Sequence, residues 1–158
     1  LLHYTGGRFA SVTALEPDRR SFRKLNEWAS ANITGDVTLV QAGAWNEGTV
    51  KCFTDQAGRQ SRVAGQGKET QMRALDSVLS GRPCTYLKMD VEGAEREAIA
   101  GAEKTIRQYA PKLNIAAYHR SEDFFQLPLL IHALQPSYRL YLRHHPYVPA
   151  WDTNLYAI

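Results

Sequence analysis

The sequence is poor in the features that would tie it to a membrane, a cysteine framework or a polyanion. Only 2 cysteines occur in 158 residues. Cys52 and Cys84 lie in unrelated segments without CxxC spacing, which excludes a disulfide framework and a cysteine-type zinc site. Both read as buried thiols. No apolar stretch approaches the ~20 residues that cross a bilayer, and no charged flank leads into an apolar signal segment. The 19 basic and 16 acidic residues leave a net charge of +3, scattered without a run of five like charges, so no nucleic-acid-binding tail is present. The dinucleotide fingerprint GxGxxG is missing. AGQGKET at 64–70 fails as a phosphate loop, because Glu69 stands where Ser or Thr is required and no buried strand precedes it. These absences leave a cytosolic (cytoplasmic) enzyme or binding domain with no nucleic-acid and no membrane partner.

What is present is enough apolar material, 44% hydrophobic and 10% aromatic, for one domain with a real core. Residues 12–15 read as a strand that feeds a helix, since Pro17 suits a first helical turn and Asp18 its positive end. Phe22, Leu25, Trp28 and Ala29 fall on one face of that helix, which ends near Ala31. Residues 37–40 form a second strand, 43–48 a turn and 49–53 a third strand. Residues 54–71, with their glycines and no aromatic, predict a long mobile loop, and 72–79 a short strand or helical turn.

A buried strand over 84–89 then runs into one amphipathic helix marked by Ala94, Ala98, Ile99, Ala102, Ile106 and Tyr109 and closed by Pro111. Residues 112–118 and 124–134 repeat the strand and helix. Residues 138–143 and 153–158 have no helix between them and pair antiparallel. The order predicts an α/β fold, a doubly wound, mostly parallel sheet ending in an antiparallel hairpin. In such a sheet ligands bind beyond the carboxyl ends of the strands.

The polar residues that follow strands therefore carry the candidate chemistry. Glu16 has the position and charge to accept hydrogen bonds from vicinal ribose hydroxyls, although the same Glu16-Pro17-Asp18 would serve simply to start a helix. KMDVEGAE at 88–95 places Asp90, Glu92 and Glu95 around a strand-to-helix turn, with Gly93 permitting close backbone approach. Such acids can orient a cationic ligand, hold a divalent metal or raise one another's pKa, and Glu95 also suits plain helix capping. His119 follows a strand directly and could act as a general base near neutral pH. His144 and His145 are adjacent, so they point apart, and no third ligand is spaced near them; no metal is assigned.

VTALEPD, LVQAGAWNEGTVKCF, the Leu75-Asp76 pair, LKMDVEGAE, AYHR, YLRHH and NLYAI together resemble, in this order, the FkbM family of S-adenosylmethionine-dependent methyltransferases. The resemblance implies the Rossmann-like class I methyltransferase sheet, with S-adenosyl-L-methionine as cofactor and O-methylation of a hydroxyl or carboxylate on a small-molecule acceptor, a sugar or secondary metabolite. It implies Glu16 as the ribose acid, Ala42, Gly43 and Ala44 as the adenine-side wall, Asp90 beside the methionine moiety and His119 as catalytic base beside the acceptor. No metal is required by that mechanism.

One part of the family pattern has no counterpart: the first strand with its glycine-rich turn is missing upstream of Val12, where Tyr4 to Phe9 read as the end of the first helix. The chain also begins Leu1-Leu2-His3 without an initiator Met, and it reads as a partial domain of sheet order 3-2-gap-4-5-7-6, weak or inactive alone. The competing reading is a nucleotide-binding α/β module of another class, a dehydrogenase fragment or silent binding domain, with which Glu16 is compatible but KMDVEGAE and the hairpin are not expected.

Overall fold

The computed structural model describes residues 6, 8–53, 63–64, 68–144 and 153–158. Its elements are β1 (Ser11–Leu15), α1 (Arg19–Asn32), β2 (Asp36–Val40), β3 (Gly43–Ala44), β4 (Thr49–Phe53), β5 (Val63–Ala64), β6 (Lys68–Arg73), α2 (Leu75–Leu79) and β7 (Tyr86–Met89). There follow α3 (Glu95–Ala100), α4 (Glu103–Tyr109), β8 (Lys112–Ala116), α5 (Asp123–Leu134), β9 (Leu140–His144) and β10 (Thr153–Ala157). Among the described residues no helix is long and apolar enough to cross a membrane.

Among the described residues the strands form three sheets, in the orders β1-β2, β7-β8-β10-β9 and β3-β6-β4-β5. β1 and β2 run parallel, as do β7 and β8, while β10 lies antiparallel between β8 and β9. The expected terminal hairpin is therefore present, and it inserts its last strand next to β8. Ile115, Leu113, Leu155 and Ala157 on this sheet pack against Ile99, Ile106, Leu127 and Ile131 of the helices, all nearly inaccessible, and this is the main core. Burying such side chains contributes about 1.5–3 kcal/mol each.

Local differences from the sequence reading have physical causes. The segment expected to be a loop at 54–71 carries β5 and the start of β6; the rest of it, 54–62 and 65–67, lies outside the described residues. Lys68-Glu69-Thr70-Gln71 has no apolar alternation to announce a strand, and it is held by antiparallel pairing with β4. Gly43–Ala44, expected in a turn, pairs parallel with Met72–Arg73. On α1 only Ala29 is buried and Trp28 is exposed, because a two-stranded sheet covers little of the helix. Cys52 and Cys84 are free thiols but only half-buried.

The single helix expected over 94–109 is two. Gly101 separates α3 from α4 where the chain lies against the backbone of Trp45 and Ala74. α4 restarts because Asp76 caps it: Oδ1 accepts from the Thr105 amide at 2.9 Å and its hydroxyl at 2.7 Å, and Oδ2 from the Lys104 amide at 2.9 Å. Three otherwise orphaned donors meet one carboxylate at the positive end of a helix dipole. Asp76→Ala is expected to cost about 2 kcal/mol, seen as a fall in Tm of about 5 °C. An unchanged melt would remove this cap from the account.

Candidate active site

β7 delivers Asp90, and the turn after it is tight. Glu92 adopts φ 55° and Gly93 φ 93°, two successive residues in the left-handed region. For a non-glycine residue that conformation costs about 1–2 kcal/mol. A Cβ on Gly93 would stand 3.4 Å from Arg120 Nε and 3.7 Å from His119 Cβ, so the turn lies close against the segment that follows β8. α3 then begins at Glu95, whose side chain is buried and accepts a hydrogen bond from the Val91 amide at 3.0 Å through Oε1.

This turn closes around His119, whose side chain is only 7% exposed. Nδ1 lies 2.9 Å from Glu95 Oε1; Nε2 lies 3.3 Å from Glu92 Oε2 and 3.5 Å from Asp90 Oδ1. Among the described residues neither ring nitrogen meets a partner in full hydrogen-bond alignment, although Glu95 Oε1 stands within hydrogen-bonding distance of Nδ1. The Tyr118 ring packs tilted against the imidazole at 4.2 Å between centroids, and its hydroxyl donates to Asp90 Oδ1 at 3.2 Å. Burial pushes the imidazole pKa down, but hydrogen bonding and charge from Glu95, with the charges of Glu92 and Asp90, outweigh it and hold His119 above its ordinary value.

Sequence reasoning grouped Asp90, Glu92 and Glu95 around one turn and singled out His119 by itself; the parallel pairing of β7 with β8 is what joins them. Glu95, which also suited helix capping, lies directly against the imidazole. Tyr118 and Asp123 were missed, the first for want of any signal beyond its neighbour His119, the second because it reads as a first-turn helix acid. Asp123 is 1% exposed, and although Arg96 Nε is 3.7 Å away, neither carboxylate oxygen accepts a hydrogen bond from the described residues. Burial first, then the charge of Glu95, raises its pKa above the ordinary carboxylate value.

A raised carboxylate pKa means that, as pH climbs past the unfolded value near ~4, the native state keeps a proton the unfolded chain has lost, so native stability falls until the folded pKa is passed. Asp123→Asn abolishes that loss. Its Tm relative to the parent is expected to be higher at pH 8 than at pH 4, and an offset independent of pH would refute the assignment.

The remaining sequence candidates face a cavity of about 1800 Å³ between β1 and β7. Glu16, Gly43, Ala44, Asp90 and Glu92 line it; His119 does not, standing behind the two carboxylates. Ala42, expected in the wall, is 1% exposed and does not reach the cavity. Glu16 is held by its own turn, Oε1 accepting from the Asp18 amide at 2.8 Å, while Asp18 Oδ1 caps α1 through the Ser21 amide at 2.8 Å. The Glu16-Pro17-Asp18 turn thus starts α1, as its helix-initiating reading has it, and Glu16 also lines the cavity. His144 hydrogen-bonds Thr153 Oγ1 at 3.1 Å, and His145 lies outside the described residues.

The methyltransferase FkbM domain matches residues 2–149. This chain belongs to the FkbM methyltransferase family. The crystal structure of methyltransferase FkbM from Methylobacillus flagellatus superposes with a TM-score of 0.80 at 31% identity, over 99% of this chain and 39% of that one. The FkbM domain here thus spans less than half the length of that relative. A search of curated proteins finds no match.

Proposed function

We propose that this FkbM domain forms the acceptor side and much of the donor side of a methyltransferase that uses S-adenosyl-L-methionine and methylates a hydroxyl or carboxylate oxygen on a small molecule such as a sugar or secondary metabolite. The observation that carries the reading is that Glu16, Gly43, Ala44 and Asp90, from three separate strand ends, open on one cavity. The fit to the cofactor is chemical: Glu16 keeps Oε2 for ribose hydroxyls while Oε1 is taken by its own turn, and Asp90, 39% exposed, presents a carboxylate toward a cationic ligand.

The cavity exceeds the roughly 300–1,000 Å³ usual for a ligand site. Its surplus supports a further reading. β1 pairs only with β2 and β7 only with β8 among the described residues, and both line the cavity. A Rossmann-like sheet results if another strand, with a glycine-rich turn, enters between them from a longer protein. That strand would satisfy both free edges, which are otherwise costly when covered.

The bound cofactor would supply a methyl group on a sulfonium, an electrophile that needs no activation by the protein. The work left to this chain is positioning and proton handling. Glu16 and the wall of Gly43 and Ala44 orient the nucleoside. When the acceptor is a hydroxyl, Asp90 meets its proton first, because it lines the cavity, and His119 Nε2, 3.5 Å behind Oδ1, receives that proton; a carboxylate acceptor has none to lose. Calorimetric titration of the full-length protein with S-adenosylhomocysteine, with a nicotinamide dinucleotide as comparator, tests the reading. Selective binding of the former is expected. Preference for the dinucleotide, or no binding by folded protein, would leave a nucleotide-binding module of another class.

A further inference from the structure

We propose that Asp90, Glu92 and His119 form a three-ligand site for a divalent transition cation, of which Mn²⁺ and Zn²⁺ suit the donors best. One ligand atom from each lies within 4.8 Å of the other two. The distances from Nε2, 3.3 Å to Glu92 Oε2 and 3.5 Å to Asp90 Oδ1, fit a coordination shell: ligands about 2.1 Å from one metal at tetrahedral angles stand about 3.4 Å apart. The same distances are long for charge-assisted hydrogen bonds, which close to about 2.7–2.9 Å.

The imidazole itself argues for a cation. Nδ1 lies 2.9 Å from the buried Glu95 carboxylate, the shortest of the three contacts, and that negative charge favours a proton on Nδ1 even though the pair is not an aligned hydrogen bond. In the neutral ring, the form present above the imidazole's pKa, that leaves Nε2 with a bare lone pair, buried, without an aligned hydrogen bond among the described residues and facing two carboxylates. One ligand atom from each of the three groups lies near a common point, with Asp90 Oδ1 also accepting from the Tyr118 hydroxyl. Glu95 occupies the place of the carboxylate that, in metal sites generally, holds the far side of a ligating histidine and fixes its tautomer. Glu95 is fixed in turn by the Val91 amide.

Ligand chemistry narrows the ion. One imidazole with two carboxylates favours first-row transition ions over Ca²⁺, which wants six or more oxygens, and over Mg²⁺, which prefers an all-oxygen octahedron. Asp90 and Glu92 are 39% and 32% exposed and line the cavity, so open positions on the ion would face whatever the cavity holds. An ion there would act as a Lewis acid on an acceptor oxygen, and it would occupy Nε2, so metal binding and proton uptake by His119 exclude each other. Sequence analysis offered a divalent metal as one use of the Asp90, Glu92 and Glu95 acids but assigned none, and the pairing of β7 with β8 is what brings His119 to them.

The test is direct. Full-length protein, stripped with a chelator and exchanged into metal-free buffer, is titrated with MnCl₂ and ZnCl₂ by calorimetry and with CoCl₂ by visible absorption. One equivalent is expected, with a Co²⁺ d–d band. Asp90→Asn, Glu92→Gln and His119→Gln should each weaken binding at least tenfold, and Glu95→Gln about 10–100-fold without touching the ion. Circular dichroism confirms that each variant is folded. No uptake by the folded parent, or uptake indifferent to these substitutions, overturns the proposal. S-adenosylhomocysteine titrated into the same metal-free sample separates the readings: its binding without any metal uptake leaves the methyltransferase assignment standing and removes only the ion.

Discussion

Gly101→Ala is expected to prevent the domain from accumulating in folded form. A Cβ at this position would stand 1.9 Å from the Trp45 carbonyl oxygen, 2.9 Å from its carbon and 3.2 Å from Ala74 Cα. All three obstacles are backbone. A flexible side chain could move aside, but here the α3–α4 junction and the segment after β3 would have to separate, breaking the hydrogen bond from the Asp76 amide to the Gly101 carbonyl at 2.8 Å. The cost is about 4 kcal/mol or more, against a total stability of about 5–15 kcal/mol for a domain. Gly48→Ala is the control, since none of the described residues lies within 4 Å of the added atom. Soluble yield and a thermal melt decide the matter; a well-folded Gly101→Ala would show that the junction is looser than described.

In the full-length protein, His119→Gln is expected to lower turnover about 10²- to 10⁴-fold, the range for losing a group that handles the acceptor's proton. Its affinity for S-adenosylhomocysteine should stay at the parent's value, because His119 stands behind Asp90 and Glu92 and does not line the cavity. Asp90→Asn should lower both turnover and affinity, since that carboxylate touches the cavity directly. The contrast between the two variants is the useful readout. Full turnover in His119→Gln would take the imidazole out of the chemistry, and parent-like behaviour of Asp90→Asn would take that carboxylate away from the cofactor.

Much of the fold is legible because its signals are local. The apolar runs of β7 and β8 followed by helices, Pro17 and Asp18 opening α1, and two terminal strands with no helix between them each leave a mark within a few residues. Asp90, Glu92 and His119 stand out because acids and histidines directly after strands fall on one edge of a parallel arrangement. The polar strand β6 was illegible, since its pairing with β4 comes from the partner and not from its own residue pattern. The break at Gly101 was equally hidden: apolar spacing continues across it, and only the distant backbone of Trp45 demands it.

The amino-acid sequence by itself determined the α/β order, the family and which side chains carry charge at strand ends, because composition, periodicity and motif are properties of neighbouring residues. Tertiary structure alone decided that Glu95 lies beneath the imidazole, that Ala42 turns away from the cavity and that the Asp123 carboxylate is buried without a hydrogen bond from the described residues. Such facts depend on distances between segments far apart in the chain, and those distances are set by strand register and helix packing, which no single segment encodes.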